Sequence, residues 1–347
     1  MHDGNTLRPI HTPLMTSDFN REYEEPPAEA KALLLCGTRV RILSSMTIIV
    51  VILLFIVLFM VFTSLVLFVI GPIMLLQPHR RTVDYYRRFT TLLHPADLHV
   101  RHEELQLKTA EGIDLNCWLL PAPGTPRGTV IFLHGVSESK IVGLPLSRAL
   151  LGAGFNVFLY DSRRHGESGG HFCTYGFYEK HDTTTVINYL LARQDLHIGN
   201  IGLMGTSMGA AVAIQVAALD TRVRTVVAES GFATLRTVFD EYQKRMIKLP
   251  WHYLRNIVIK RSEQLAHFRA SAVSPLNAVA GVHVPIFFLH GTADTLIRHI
   301  YTERVFRNAN EPKELWLVKG ARHDNMAEVG GETYIPRIVD FFVKYLS

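Results

Sequence analysis

The sequence predicts an α/β domain with a mostly parallel central sheet, helices on both faces and a small helical lid, preceded by one transmembrane helix. A long uncharged apolar segment lies near the N-terminus, and short apolar runs then alternate with segments of helical period. One unusually long insertion separates two of these runs. The 347 residues, 48% of them hydrophobic, suffice for one large domain or two small ones with a packed core.

The apolar segment runs from Met46 to Ile70 and contains no charged side chain. At ~1.5 Å per residue, a helix of this length is longer than the ~30 Å hydrocarbon core of a bilayer. A buried core helix is rarely apolar on every face over so many residues, and no Ala-x-Ala cleavage site of a secretory signal follows. We therefore predict a transmembrane helix over residues 46–76.

Basic residues flank both ends of this helix, and their bias favours a cytoplasmic location of the domain after the helix only slightly. They are Lys31, Arg39 and Arg41 before the helix and Arg80, Arg81, Arg87 and Arg88 after it. The net charge of +5 owes much to the second group, which suits anionic lipid headgroups better than nucleic acid, although solvated charge explains it equally well. Residues 77–100 are interpreted as a basic juxtamembrane linker, and residues 1–45 as a mostly disordered tail.

Apolar runs predict the strands of one domain over residues 101–347. A hairpin at 103–109 and 113–120 comes first, and buried strands follow at 129–133, 155–160, 201–204, 224–228, 285–289 and 314–318. The segments of helical period between them are long enough to be crossovers, so a mostly parallel sheet covered on both faces is expected. The insertion over 231–282 is too long for a simple crossover and is expected to hold amphipathic lid helices.

Ser207 is the predicted nucleophile because it lies in the pentapeptide Gly205-Thr206-Ser207-Met208-Gly209, between a buried strand and an alanine-rich helix. A tight strand-to-helix turn exposes the hydroxyl group, and the flanking glycines allow such a turn. The turn also places the serine at a helix N-terminus, where developing negative charge is favoured. The alternative is a serine in an ordinary strand-to-helix turn.

A nucleophilic serine needs a base, and that base needs an orienting acid. Asp294 follows the predicted strand 285–289, and His323 follows the strand 314–318. Alone, Asp294 is equally well explained as a turn residue and His323 as a surface residue. Together they lie at strand ends in the order Ser, Asp, His, where open α/β sheets build their sites. Glu229, at the end of another strand, is the alternative acid.

The oxyanion of a tetrahedral intermediate needs two N–H donors. Met208 directly follows the nucleophile and offers one of them. Val136, in the loop after the strand 129–133, is our choice for the second on the basis of position alone. We expect no metal site and no disulfide framework, because the three cysteines are odd in number, widely spaced and lack a Cys-x-x-Cys pair.

Several motifs in order make a more specific pattern. They are Leu133-His134-Gly135, Asp161-Ser162-Arg163-Arg164-His165-Gly166-Glu167-Ser168, Gly205-Thr206-Ser207-Met208-Gly209, Ser274-Pro275-Leu276, His290-Gly291-Thr292-Ala293-Asp294 and Gly320-Ala321-Arg322-His323. With them the chain resembles the α/β-hydrolase superfamily, in particular lysophospholipase-like and monoacylglycerol-lipase-like serine hydrolases and related membrane-anchored bacterial hydrolases. The resemblance covers about 240 residues.

The resemblance implies an α/β-hydrolase fold with Ser207 as nucleophile, Asp294 as acid and His323 as base. It also implies an oxyanion hole formed by the Val136 and Met208 amides. The implied reaction is hydrolysis of an ester, thioester or amide through an acyl-enzyme, without a metal or organic cofactor.

Three arginines depart from the family pattern. Arg164 stands where relatives usually have glycine, Arg298 replaces a proline common shortly after the acid, and Arg322 replaces the glycine usual before the histidine. Arg322 is closest to the chemistry, so we expect it to alter the substrate's charge preference or the position of His323.

The sequence therefore predicts a single-pass membrane-anchored serine hydrolase that cleaves a carboxylic ester. Its expected partners are the membrane and a small-molecule or lipid ester, with no nucleic acid. Lipid esters are favoured by the membrane helix and the apolar lid, although fold does not fix substrate. The alternatives are a peptidase, thioesterase or acyltransferase on the same triad, or a non-catalytic membrane scaffold with a hydrolase fold.

Overall fold

The computed structural model describes residues 25–246 and 252–347, which fall into two compact units that divide between Phe62 and Thr63. A continuous helical segment comes first: helix α1 (Ala28–Leu65), a π-helical turn (Val66–Ile70) and helix α2 (Gly71–Leu76). Its most apolar window has a mean hydropathy of 3.3 and no buried residue. By length and composition this segment suits a membrane span, and a signal sequence near the N-terminus passes the same test.

The helix begins at Ala28, which corrects the assignment of residues 28–45 to a disordered tail, whereas the start of the membrane-spanning part at Met46 stays a prediction. Residues 28–45 are helical because good helix formers, mainly alanine, leucine, lysine and arginine, dominate them and no proline interrupts them after Pro27. Their lysine and arginine side chains had set them apart from the apolar run. The predicted tail before residue 25 lies outside the described residues.

One sheet contains the eight strands of the described residues, in the order β1-β2-β4-β3-β5-β6-β7-β8. They are β1 (Glu103–Lys108), β2 (Asp114–Leu120), β3 (Gly128–Leu133), β4 (Phe155–Tyr160), β5 (Asn200–Thr206), β6 (Val223–Glu229), β7 (Ile286–Gly291) and β8 (Lys313–Val318). β2 pairs antiparallel with β1 and β4, and every other neighbouring pair is parallel. The predicted hairpin and mostly parallel sheet are confirmed.

Helices cover both faces of this sheet. The remaining ones are α3 (Val83–Tyr86), α4 (Leu144–Gly152), α5 (Glu179–Ala192), α6 (Met208–Leu219), α7 (Leu235–Met246), α8 (His252–Ala266), α9 (Pro275–Ala278), α10 (His299–Asn308), α11 (Met326–Gly330) and α12 (Tyr334–Leu346). Strand β3 shows why: Ile131 and Leu133 lie in the core that contains α5 and α6, whereas Val130 and Phe132 lie in the core that contains α4 and α12. Alternate side chains thus meet opposite layers, and each large one stabilises the fold by about 1.5–3 kcal/mol.

The segment predicted as a basic linker, 77–100, is packed within the second compact unit, Thr63–Ser347. It contains α3 and a 3₁₀ turn (Pro95–Leu98), and the side chains of Tyr86 and Leu98 are buried in the core that contains α4 and α12. The interpretation as a linker is corrected, because arginine-rich composition concealed the apolar residues that anchor the segment.

The insertion predicted as a lid, 231–282, contains α7, α8 and α9, with residues 247–251 outside the described residues. Helix α7 is fastened to α10 through Glu241, which accepts hydrogen bonds from Arg298 Nε at 3.1 Å and the Tyr301 hydroxyl at 2.5 Å. Arg298, one of the three departures from the family pattern, therefore helps to hold α7 against α10. The covering role of the insertion stays a prediction.

The first turn of α6 approaches β3 so closely that no side chain fits at Gly209. A Cβ built there would lie 1.9 Å from the Leu133 carbonyl oxygen. We therefore expect Gly209→Ala to lower the free energy of unfolding by about 1–3 kcal/mol, measured by denaturation of the full-length protein in detergent. Gly152→Ala is the matched helical control, because no atom lies within 4 Å of its added Cβ. Equal destabilisation by both variants would contradict the close packing.

Candidate active site

Ser207 occupies the turn between β5 and α6 in a backbone conformation that residues other than glycine rarely adopt. Its φ is 54° and its ψ is −112°. Such a conformation costs on the order of 1–3 kcal/mol and persists only where the surroundings enforce it. Here the Ser207 N–H donates to the Glu229 carbonyl at 2.8 Å, and a Cβ on Gly205 would lie 2.2 Å from the Gly209 carbonyl oxygen. The turn is held at the carboxyl end of β5, as the sequence predicts.

Asp294 and His323 are joined by a hydrogen bond. The ring Nδ1 of His323 lies 2.6 Å from Asp294 Oδ2. The other carboxylate oxygen accepts the N–H groups of Leu296 and Ile297 at 2.8 and 2.9 Å. The Asp294 side chain is 0% exposed and that of His323 is 19% exposed. A fixed, buried acid thus holds a ring that solvent and a substrate can still reach.

The loops that carry these two residues are packed together. Thr292 N–H donates to the Val318 carbonyl at 3.0 Å, and Ala293 N–H donates to the Ala321 carbonyl at 2.9 Å. Gly291 allows this approach, since an added Cβ would lie 2.2 Å from the Ala321 carbonyl oxygen. The hydrogen bond between acid and base therefore rests on a rigid backbone frame.

The hydrogen bonds set the charges of the pair. Burial opposes ionisation of Asp294, but hydrogen bonds from His290 and His323 outweigh it and hold the pKa of the carboxyl well below its usual range. Burial likewise disfavours the charged ring of His323, yet the bond to Asp294 and the charges of Glu138 and Glu229 raise its pKa. A carboxylate beside a basic imidazole is the arrangement that general-base catalysis requires.

Glu229, the alternative acid, has a different partner. Its buried carboxyl accepts a hydrogen bond from the Tyr334 hydroxyl, while His323 Nδ1 is bonded to Asp294. Burial raises the pKa of Glu229 to about 7. The geometry thus pairs His323 with Asp294 rather than with Glu229.

Two neighbours of the site were not predicted. Glu138 accepts the Gly135 N–H at 2.8 Å and so braces the loop after β3, but a single loop carboxylate has no signature in sequence. His290 contacts Thr302, Asp294 and the Ile297 carbonyl, and so helps to hold the Asp294 carboxylate in place.

The two predicted oxyanion donors adjoin the serine. Met208 is the first residue of α6, and Val136 follows Gly135 in the loop after β3. This loop lies against the nucleophile turn, because a Cβ on Gly135 would be 3.2 Å from the Ser207 Cβ. That the N–H groups of Met208 and Val136 donate to an oxyanion stays a prediction.

A cavity of about 640 Å³ opens beside Val136. It is lined by Met74, Gln77, Pro78, His79, Arg80, Val136, Ser137, Arg164, Tyr175 and Tyr242. The lining thus combines the loop after β3, a residue of α7 in the predicted lid, Met74 at the end of the apolar helical segment and the residues that follow it. A substrate group next to the candidate oxyanion hole has room here.

Arg322 does not contact Asp294 in this arrangement. Its guanidinium lies 3.1 Å from Asp324 Oδ1, and both side chains are exposed. The charge that was expected to influence the site is therefore offset by a neighbouring carboxylate in solvent.

One group of possible metal ligands, His94, His102 and Glu104, lies outside these loops. His94 Nδ1 accepts the Ala96 N–H, so its proton is on Nε2, which faces Glu104 at 3.2 Å. In this arrangement the contact between His94 and Glu104 is an ordinary hydrogen bond.

Known proteins share this architecture. A family model described as serine aminopeptidase, S33, matches residues 124–273. The uncharacterized protein YqkD of Bacillus subtilis is 32% identical over 241 residues, which cover 68% of this chain and 77% of that protein. The esterase Pf2001 of Pyrococcus furiosus superposes with a TM-score of 0.62 at 28% identity, covering 73% of this chain and 96% of that one. The chain belongs to the α/β-hydrolase superfamily.

A second relative supports the same assignment. The uncharacterized protein YfhR of Escherichia coli K12 is 28% identical over 253 residues, which cover 71% of this chain and 82% of that protein. The resemblance predicted from the motifs is confirmed at the level of this α/β hydrolase's fold and superfamily. The roles of its individual site residues stay predictions.

The pKa directions predict the pH dependence of hydrolysis by this α/β hydrolase. Only the neutral ring of His323 accepts a proton, so activity should fall as pH drops through a pKa above the ordinary 6.5. Asp294→Asn removes the carboxylate charge that helps to raise the pKa of His323. We expect kcat to fall on the order of 10³–10⁴-fold and the acid limb of the kcat/KM profile to move to lower pH.

The exposed Asp340 on α12 provides the control. Asp340→Asn should leave both the rate and the acid limb unchanged. An Asp294→Asn variant with the wild-type rate and profile would show that this carboxylate does not serve His323.

Proposed function

We propose that the protein is a membrane-anchored serine hydrolase that cleaves a carboxylic ester through an acyl-enzyme. The observation that carries the proposal is the hydrogen bond between His323 and the buried Asp294, at the same edge of the sheet as the strained turn of Ser207. Nucleophile, base and acid then follow the chain order of this superfamily.

In the proposed mechanism, His323 takes the proton of Ser207 as its hydroxyl oxygen attacks the acyl carbonyl. Asp294 orients the ring and stabilises its positive charge. The Val136 and Met208 amides stabilise the oxyanion, and His323 passes the proton to the leaving alcohol. Water, activated by the same ring, then releases the acid from Ser207.

Esters are the favoured substrates because the Pyrococcus relative, which covers most of the catalytic unit, is named an esterase. The family model that matches residues 124–273 is described as serine aminopeptidase, S33, so a peptidase is the second candidate. Thioesterase and acyltransferase chemistry use the same acyl-enzyme.

Membrane anchoring is supported by the length and hydropathy of the helical segment Ala28–Leu76. The cavity beside Val136 is bordered by Met74, in the last turn of that segment, and by Tyr242 of the lid. An ester drawn from a bilayer would enter where these residues lie, and this favours lipid esters within the proposed class.

A fluorophosphonate probe tests the nucleophile. Membranes containing the wild-type protein should be labelled covalently, because the probe reacts with serines activated by a base. Ser207→Ala should abolish labelling, as measured by in-gel fluorescence. Ser271→Ala, an exposed serine, is the matched control and should leave labelling intact. An unlabelled wild-type protein would favour the non-catalytic scaffold.

Acyl-chain selectivity tests the lipid assignment. We expect kcat/KM for para-nitrophenyl esters to rise from acetate to medium or long acyl chains, because each buried CH₂ contributes about 0.8 kcal/mol. Aminoacyl para-nitroanilides are the comparison for a peptidase. A flat series would remove the support for lipid esters, and faster anilide than ester cleavage would favour the peptidase.

A further inference from the structure

Arg164 has a backbone conformation that normally selects glycine. Its φ is 67°, and it stands in the loop after β4, where the family usually has glycine. A long side chain in this conformation is strained, and strained residues concentrate at functional sites. Arg164 also lines the cavity beside Val136.

The cavity is electropositive. Its lining contains His79, Arg80 and Arg164, and no carboxylate lines it among the residues that the structure describes. Val136, from the candidate oxyanion hole, borders the same space. We call this space the Arg164 pocket.

Within the described part of the chain, the guanidinium of Arg80 is held by backbone carbonyls and not by a carboxylate. Its guanidinium donates to the backbone carbonyls of Gly166, Ser168 and Gly170 at 3.2, 2.7 and 3.3 Å. Burial and the like charge of Arg164 lower the pKa of Arg80, and the charge of Asp161 offsets part of this effect, so the guanidinium groups of Arg80 and Arg164 repel each other. Backbone carbonyls position a cation but leave its charge available to a ligand.

The acidic side chains of the surrounding loops are paired with other basic residues. Lys140 Nζ contacts Asp161 at 2.8 Å and Glu167 at 2.9 Å, and Arg163 contacts Asp182 at 2.6 Å. Within the described ranges, the guanidinium of Arg164 has no ion pair. Among the described residues neither Arg80 nor Arg164 is in an ion pair, so an anion bound between the two guanidinium groups would be stabilised by both.

We propose that the Arg164 pocket binds a phosphate group carried by the ester substrate, with Arg164 as the specificity-determining residue. The inference rests on the proposed function and narrows its substrate class to acyl esters that bear a phosphate. A guanidinium group suits a phosphate because its planar fork donates two parallel hydrogen bonds. The pocket's contact with Val136 places the phosphate beside the acyl carbonyl that reacts.

Two sources share this chemistry: a phospholipid of the membrane with one acyl chain, and a soluble phosphorylated ester. Matched ester pairs separate recognition of the phosphate from attraction to a charged lipid aggregate. The pairs are 1-oleoylglycerol 3-phosphate against 1-oleoylglycerol, and the corresponding 1-butyryl esters.

The full-length protein in a nonionic detergent should show a higher kcat/KM for the phosphate member of both pairs. Arg164→Gly supplies the residue that the backbone prefers, so the fold is kept. This variant should reduce the phosphate preference on the order of tenfold, the loss expected for one hydrogen bond to a charged group, and leave the neutral esters within about twofold. Arg164→Lys should retain part of the preference.

Arg88→Gly is the matched control, because Arg88 is exposed in the same basic stretch and does not line the pocket. It should keep the preference. Equal loss in Arg88→Gly and Arg164→Gly would overturn the inference, because net charge would then be responsible. A preference confined to the oleoyl pair and kept by Arg164→Gly would overturn it as well.

Binding to Ser207→Ala separates this inference from the proposed function. The ether 1-O-hexadecylglycerol 3-phosphate has no ester to cleave, and its binding should weaken when Arg164→Gly is added. Binding that depends on Arg164, with no hydrolysis by the wild type, would support the phosphate site and contradict the proposed function. Hydrolysis of both members of each pair at equal rates would contradict the phosphate site alone.

Discussion

The approach of α6 to β3 and β5 is the constraint on which the rest of the site depends. The carbonyl group of Leu133 occupies the space in which Gly209 would carry a side chain, and Gly205 meets the same helical turn from the other side. With both positions reduced to backbone, the chain turns sharply enough to force Ser207 to a positive φ. The helix N-terminus, the loop after β3 and the candidate oxyanion donors then converge on one hydroxyl group.

Much of this was predictable because the signals are local. The strands β3, β4 and β7 are short runs buried along their whole length, and such runs are hard to mistake once turns flank them. Glycine on both sides of Ser207 reports a steric requirement directly. Asp294 and His323 were located by strand ends and chain order, without knowledge of the distance between them.

The rest depends on tertiary contacts or dihedral angles. Residues 28–45 contain lysine and arginine, so they fall outside the uncharged run that predicts the apolar helix, and their helical conformation was not predicted. Tyr86 and Leu98 anchor a segment whose arginines dominate its composition. The role of Glu138 could not be predicted, because its partner is a backbone N–H that any residue carries. The positive φ of Arg164 could not be predicted either, because arginine rarely adopts it.

Glu241 links helix α7, in the predicted lid, to the residues that follow Asp294. It accepts hydrogen bonds from Arg298 and Tyr301, at the start of α10, and Ile297 in the preceding position donates to Asp294. As a lid, helix α7 would not move independently, because its movement would first break bonds to residues beside the backbone that fixes the Asp294 carboxylate. Opening of the predicted lid and alignment of Asp294 would then be coupled, and substitutions on α10, whose Tyr301 does not line the pocket, would affect both.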